Sequence, residues 1–204
     1  MADEAVPDDK TDSQESLTLE GLECLKLVDN WSFDVFHFTD VVNNKPIKYL
    51  TRHLFDHYGL IQKFSIDPVI LENFLNAIET GYNCFENPYH NNMHAADVTQ
   101  TINSMLQETG LITWLTDLEI FACLLAAIIH DYDHTGTTNG FHIATKSNRA
   151  LIYNDRSVQE NHHLSASFFI LQKDSCNILS KLSRDEYRQL RGLVIDFIFK
   201  SRKT

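Results

Sequence analysis

Cysteine, proline and glycine are all scarce in this chain. The four cysteines are widely separated and include no Cys-x-x-Cys pair, so neither a zinc ribbon nor a disulfide framework is indicated. No apolar run approaches the roughly 20 residues that a membrane-spanning helix needs, and the acidic start of the chain has the wrong charge for a signal peptide. These absences argue against a membrane protein and predict a cytoplasmic one.

Basic residues are also few, with 17 Lys and Arg against 28 Asp and Glu and a net charge of −11. They do not cluster, apart from the short tail 200–203, whereas a nucleic-acid surface needs clustered Lys and Arg. We therefore expect no nucleic-acid partner. An acidic protein that handles a phosphate must neutralise it locally, which favours metal ions as the source of positive charge.

Helical periodicity dominates what is present. Residues 1–16 are polar, acidic and aperiodic, which predicts a disordered leader, and residues 17–204 are predicted to form one domain. No alternating strand pattern occurs, so the fold class is all-α, a compact multi-helix domain. Helices are predicted over 48–64, 67–80, 90–106, 120–129, 157–171 and from 183 onward.

Three capping boxes mark helix starts: Thr116 with Glu119, Ser157 with Glu160, and Ser183 with Glu186. From the residues alone, Glu160 is best interpreted as completing the second of these caps. The apolar stripe of the last helix needs a surface to pack on, and it predicts self-association through that helix.

The chemistry of the chain is concentrated in its histidines. His130 and Asp131 follow the apolar helix, and a single His-Asp pair of this kind is more often a satisfied helix end than a metal site. Upstream, however, His90 and His94 lie four residues apart and can address one small volume from one helical face. Two such groups on separate helices predict a nitrogen and oxygen ligand set suited to zinc, manganese or magnesium.

Other histidines carry weaker signals. His53 and His57 also have i, i+4 spacing, but no third ligand lies near them in sequence, so two surface histidines are the better interpretation. The loop 135–140 is rich in glycine and threonine, yet no strand precedes it, which argues against a phosphate-binding loop.

Three ordered motifs together resemble the class I cyclic-nucleotide phosphodiesterases. They are Tyr89-His-Asn-Asn-Met-His-Ala-Ala-Asp-Val, His130-Asp-Tyr-Asp-His-Thr-Gly-Thr-Thr-Asn and Tyr153-Asn-Asp-Arg-Ser-Val-Gln-Glu-Asn-His-His. The sequences of these motifs are most similar to those of the calcium/calmodulin-dependent group, and the resemblance extends over about residues 25–195. The resemblance implies an all-α, HD-like catalytic domain, of which this chain would be the N-terminal portion. It also implies hydrolysis of the 3′ phosphoester bond of cyclic AMP or cyclic GMP to the 5′ nucleotide.

The resemblance also implies roles for individual residues. His94, His130 and Asp131 would bind zinc, and Asp131 would bridge to a second ion, magnesium or manganese. His134 and Glu160 would hold waters around that second ion, and His90 would be the general acid. Imidazolium, with a reference pKa of about 6.5, is a suitable donor to a departing alkoxide near pH 7.

The same family carries segments that this sequence does not show. Its later helices supply a further aspartate to the zinc, a glutamine that grips the purine and an aromatic clamp, so we expect weak or no activity from this chain alone. Residues 1–16 form no basic amphipathic helix, so we expect no calmodulin control through them. The alternatives are a catalytically incompetent truncated isoform that acts by association with a partner, and a His-Asp phosphohydrolase for another phosphoester.

Overall fold

The computed structural model describes residues 17–200, and within that range the chain is helical, with no β-strand. The predicted all-α class is therefore confirmed. The eleven α-helices of the described residues are α1 Leu19–Leu25, α2 Val35–Val41, α3 Pro46–His57, α4 Leu60–Lys63, α5 Pro68–Tyr82, α6 Asn92–Glu108, α7 Asp117–Ile129, α8 Asn139–Ala144, α9 Asn148–Ile152, α10 Val158–Leu171 and α11 Arg184–Lys200. The predicted leader over 1–16, and the absence of calmodulin control argued from it, lie outside the described residues.

Several predicted helix starts agree with the structure. Thr116 and Glu119 form the reciprocal capping box at α7, with the Thr116 hydroxyl accepting the Glu119 amide and the Glu119 carboxylate accepting the Thr116 amide. Ser183 and Glu186 make the same pair of bonds before α11. Asp67 caps α5 from the residue before Pro68, as the local sequence predicts.

Three local predictions differ from the structure. The helix predicted over 48–64 is divided by Gly59, whose positive φ of 65° ends α3 and precedes the short α4. His90 lies in a bend before α6 rather than in its first turn. The capping box at Ser157 is wrong: Ser157 is left-handed, with φ 43°, and its side chain makes no capping hydrogen bond.

Helix α7 is the centre of the fold. It packs against α3, α4, α6, α10 and α11, and ten of its thirteen residues are buried. A helix that is apolar on nearly all sides must be surrounded, so burial of α7 follows from its sequence. Its C-terminal end therefore delivers His130 and Asp131 from the middle of the molecule.

The apolar stripe of α11 finds its partner within the chain. Leu190, Val194 and Ile198 are buried, and α11 lies along α7. These three side chains need no second molecule to cover them, although Phe197 is exposed on the same helix. Across residues 17–200, no helix combines the length and the apolar character required to cross a bilayer.

Candidate metal centre

His130 is oriented by the end of its own helix. Its ring Nδ1 lies 2.8 Å from the carbonyl oxygen of Ala127, which can only accept, so Nδ1 carries the proton. In the neutral imidazole, Nε2 then presents a lone pair away from the helix. A histidine held in this way by a backbone carbonyl has the tautomer that a metal ligand requires.

His94 meets His130 from α6. The α6 helix is capped by Asn91, whose side-chain oxygen accepts the His94 amide, so His94 stands on its first turn. The Nε2 atoms of His94 and His130 are 3.2 Å apart. Asp131 places its Oδ2 3.5 Å from the first of these nitrogens and 3.3 Å from the second.

Three potential ligand atoms thus converge, and they could hold a cation between them. Burial by itself would raise the pKa of the Asp131 carboxyl, but the adjacent His130 and His94 rings lower that pKa below its usual range. The Nδ1 proton of His130 is already committed to Ala127, so a hydrogen bond from its Nε2 would require a charged imidazolium. A bound metal ion satisfies all three atoms without additional protons.

His163 approaches the other oxygen of Asp131 from α10. Its Nδ1 donates to the carbonyl of Tyr132 at 2.6 Å, and its Nε2 lies 3.7 Å from Asp131 Oδ1. This Nε2 is buried without a hydrogen-bond partner among the described residues. Burial lowers the pKa of His163 to about 3, so the ring is neutral and its lone pair faces the carboxylate.

His134 and His90 complete the histidine cluster, which consists of Asp131 and five histidines around it: His90, His94, His130, His134 and His163. The rings of His90 and His134 are stacked with centroids 3.9 Å apart, and the ring of His134 is also stacked, at 5.4 Å, on that of His163. Nδ1 of His134 accepts the Gly136 amide at 2.9 Å, so the proton of its neutral ring is on Nε2. In this tautomer His134 can donate a hydrogen bond into the site, and it could bind an ion directly only by giving up this arrangement of its proton and its bond to Gly136.

His90 is the most accessible of these side chains. It is 31% exposed, and its Nε2 lies 4.0 Å from Asp131 Oδ2. The side-chain amide of Asn87 donates both to the His90 carbonyl at 3.1 Å and to the His134 carbonyl at 2.6 Å. The bend that carries His90 is therefore tied to the loop after α7, and His90 faces the cluster although it is not helical.

Glu160 is buried on the first turn of α10, three residues before His163 and so on the same helical face. It does not complete a cap at Ser157. Instead, the side-chain Nδ2 of Asn139 donates to Glu160 Oε2 at 2.9 Å, while the side-chain Oδ1 of Asn139 accepts the backbone N–H of Gln159 at 2.8 Å. Asn139 therefore supplies from α8 the cap that α10 lacks.

Within residues 17–200, two groups of side chains could hold a metal ion. They are His94 with His130 and Asp131, and Asp131 with His134 and His163, and in each group the ligand atoms lie within 4.8 Å of one another. Asp131 is common to both. The pair His53 and His57 belongs to neither group, although the two rings are stacked with centroids 6.3 Å apart.

His163 is the residue that the sequence did not assign. Its neighbour His162 turns away and contacts Asp133, with Nε2 2.6 Å from a carboxylate oxygen that Arg149 also binds. The signal available in the sequence was the pair of adjacent histidines three residues after Glu160. Which of the two faces the cluster depends on the packing of α10.

Comparison with known proteins gives a consistent result. Residues 89–201 match the family described as 3′5′-cyclic nucleotide phosphodiesterase. A Drosophila melanogaster protein, dual specificity calcium/calmodulin-dependent 3′,5′-cyclic nucleotide phosphodiesterase 1, is 59% identical over 174 residues, which is 85% of this chain and 21% of that protein. The human 1C protein of the same name is 52% identical over 178 residues, or 87% of this chain and 25% of that protein.

The human 1B protein is 49% identical over 177 residues, covering 87% of this chain and 33% of its own length. The chain thus spans between about a fifth and a third of the length of these relatives. Among solved structures, the phosphodiesterase domain of the RhoPDE fusion protein from the choanoflagellate Salpingoeca rosetta superposes with a TM-score of 0.77. It is 37% identical, and the match covers 88% of this chain and 56% of that one.

Proposed function

The chain belongs to the 3′5′-cyclic nucleotide phosphodiesterase family, and we propose that its histidine cluster serves metal-dependent hydrolysis of a cyclic nucleotide. The bond cleaved would be the 3′ phosphoester of cyclic AMP or cyclic GMP, which gives the 5′ nucleotide. The observation that carries this proposal is the convergence of His94, His130 and Asp131, whose ligand atoms lie 3.2 to 3.5 Å apart.

We propose zinc as the ion between His94, His130 and Asp131. Two imidazole nitrogens and a carboxylate form a donor set that suits zinc. The hydrogen bond that His130 Nδ1 donates to the Ala127 carbonyl fixes the tautomer of that ligand. A second ion, magnesium or manganese, would share Asp131, with His134 and Glu160 contacting its waters. When bound, the two cations screen the negative phosphodiester and lower the pKa of a water molecule.

His90 is proposed as the general acid. It is partly exposed, as a group that must reach substrate has to be, and it faces the cluster through its contact with Asp131. Its proton would go to the departing 3′ oxygen, which would otherwise leave as an unstable alkoxide. Asn87 holds the backbone of this residue against that of His134, so the donor has a fixed direction.

Metal analysis of the purified chain tests the binding site. We expect zinc to be retained by the wild type and lost in His94→Ala and Asp131→Ala. His57→Ala is the matched control, because it removes an exposed histidine that lies in neither metal group. Equal zinc content in all four proteins would overturn the assignment of the ligands.

Hydrolysis of cyclic AMP and cyclic GMP, assayed with zinc and magnesium, tests the reaction. His90→Gln should lower kcat by about 10²- to 10⁴-fold, the range typical of a lost general acid, while its zinc content stays that of the wild type. Unchanged kcat in this variant would remove His90 from the mechanism.

A further inference from the structure

Tyr82 contacts the backbone of Asp131 from the end of α5. It is the last residue of α5, its ring is fully buried, and its hydroxyl oxygen accepts the backbone N–H of Asp131 at 3.1 Å. In the sequence, Tyr82 lies before the first of the three motifs, which begins at Tyr89. Its contact is nevertheless with the one residue that both metal groups share.

The Asp131 amide needs an acceptor from outside its own helix. Helix α7 ends at Ile129, and the Ala127 carbonyl, which a continued helix would offer to Asp131, accepts the His130 ring instead. A buried N–H without a partner is costly, so the Tyr82 hydroxyl stabilises the backbone at the point where the chain leaves the helix.

We propose that Tyr82 is a positioning residue for Asp131. By fixing the main chain there, it lets one carboxylate direct Oδ2 to His94 and His130 and Oδ1 to His163. This inference rests on the proposed function only in taking Asp131 as a metal ligand.

The residue before Tyr82 supports the same arrangement. A Cβ at Gly81 would lie 2.0 to 2.3 Å from ring atoms of Tyr132, so the absence of a side chain there admits that ring. The rings of Tyr82 and Tyr132 then meet edge to face with centroids 6.0 Å apart. The Tyr132 carbonyl holds His163 through Nδ1, so the end of α5 orients the backbone on both sides of the Asp131 side chain.

The test is the zinc affinity of Tyr82→Phe, which removes one oxygen atom and keeps the ring. Zinc binding to the 204-residue chain would be measured by competition with a chromophoric chelator, without substrate. We expect about 10-fold weaker binding, the lower end of the loss seen when a group that orients a ligand is removed. Exchange of the Asp131 amide hydrogen, followed by NMR, should become faster.

Tyr58→Phe is the matched control. Its hydroxyl is partly buried and, like that of Tyr82, hydrogen-bonded, here to Asn103 and Gln107, but these partners do not belong to the cluster. Loss of thermal stability is expected in both variants and loss of zinc affinity in Tyr82→Phe alone. Equal zinc affinities in the two variants would overturn the positioning role.

His94→Ala and Asp131→Ala, measured in the same titration, separate this inference from the proposed function. If both lose zinc and Tyr82→Phe binds it like the wild type, the positioning role is wrong and the metal site stands. If His94→Ala and Asp131→Ala also bind zinc like the wild type, the metal site itself is wrong, and the positioning role falls with it.

Discussion

At the scale of single residues, Glu79 is a buried carboxylate outside the metal groups. Its oxygens accept the Lys48 amide at 2.9 Å and the Asn92 side-chain amide at 2.7 Å, and Asn92 opens the helix that carries His94. Burial raises its pKa to about 7, against the opposing effects of these hydrogen bonds and of the positive charge of Lys45. Lys48 directs its own ammonium to Glu72 instead.

This shift predicts how stability depends on pH. The pKa of Glu79 is about 7 in the folded chain and 4.5 ordinarily, so the folded state binds more protons between these values. Its contribution to stability is therefore complete below pH 4.5 and is lost as pH rises through 7, by about 3 kcal/mol in total. Glu79→Gln should flatten this part of the curve of unfolding free energy against pH, measured with urea. Parallel curves for the two proteins would contradict the prediction.

The histidines show what sequence can and cannot give at this scale. His90, His94, His130 and Asp131 could be grouped because their spacings are local, and the start of α6 with the bend before it and the end of α7 suffice to bring them together. His163 could not be assigned, because its direction depends on a carbonyl of Tyr132 that belongs to a different part of the chain. The same is true of Tyr82, whose contact with Asp131 joins residues 49 positions apart.

At the scale of helices, local start signals were reliable where the chain around them is exposed. The boxes at Thr116 and Ser183 form as predicted, since little competes with them there. The box at Ser157 fails because a tertiary contact wins. Asn139 binds the first turn of α10, and the Glu160 side chain turns to Asn139 rather than back to its own helix start.

Because Asn139 of α8 caps α10, we expect unequal effects from two substitutions near the start of α10. Asn139→Ala removes the hydrogen bonds to Gln159 and Glu160 and should cost about 1 to 2 kcal/mol of unfolding free energy. Ser157→Ala should change it by less than about 0.5 kcal/mol, because that hydroxyl caps nothing. Urea unfolding of both variants measures the difference, with Thr116→Ala as a positive control for a true cap. A larger loss from Ser157→Ala than from Asn139→Ala would refute the assignment.

For the whole molecule, the all-α class followed from periodicity and from the absence of strand patterns. The central place of α7 followed from its apolar sequence. The packing partner of α11 did not, because an apolar stripe shows that a surface is needed and does not show which one. Self-association through α11 stays a prediction, although its residues Leu190, Val194 and Ile198 already pack within the chain.

Metal binding should stabilise the whole fold, because the proposed ligands come from α6 and from the end of α7. With zinc at 100 times its dissociation constant, the free energy of unfolding should rise by about 2.7 kcal/mol, and a chelator should reverse the gain. His94→Ala should show no such increase under the same conditions. Thermal unfolding scans of both proteins, with zinc and with chelator, provide the measurement; an equal response in the variant would speak against a folded-state site at His94.

Asp131, just after the end of α7, faces His163 on α10, and the chain between these two helices includes the short α8 and α9. An ion between them would contact side chains from two separate segments of the chain. Separation of the two helices would therefore remove these contacts at the same time. The dissociation rate of the ion would then equal the rate at which the two helices separate. Isotope exchange of the bound ion would therefore measure the rate of a motion in which every helix stays folded.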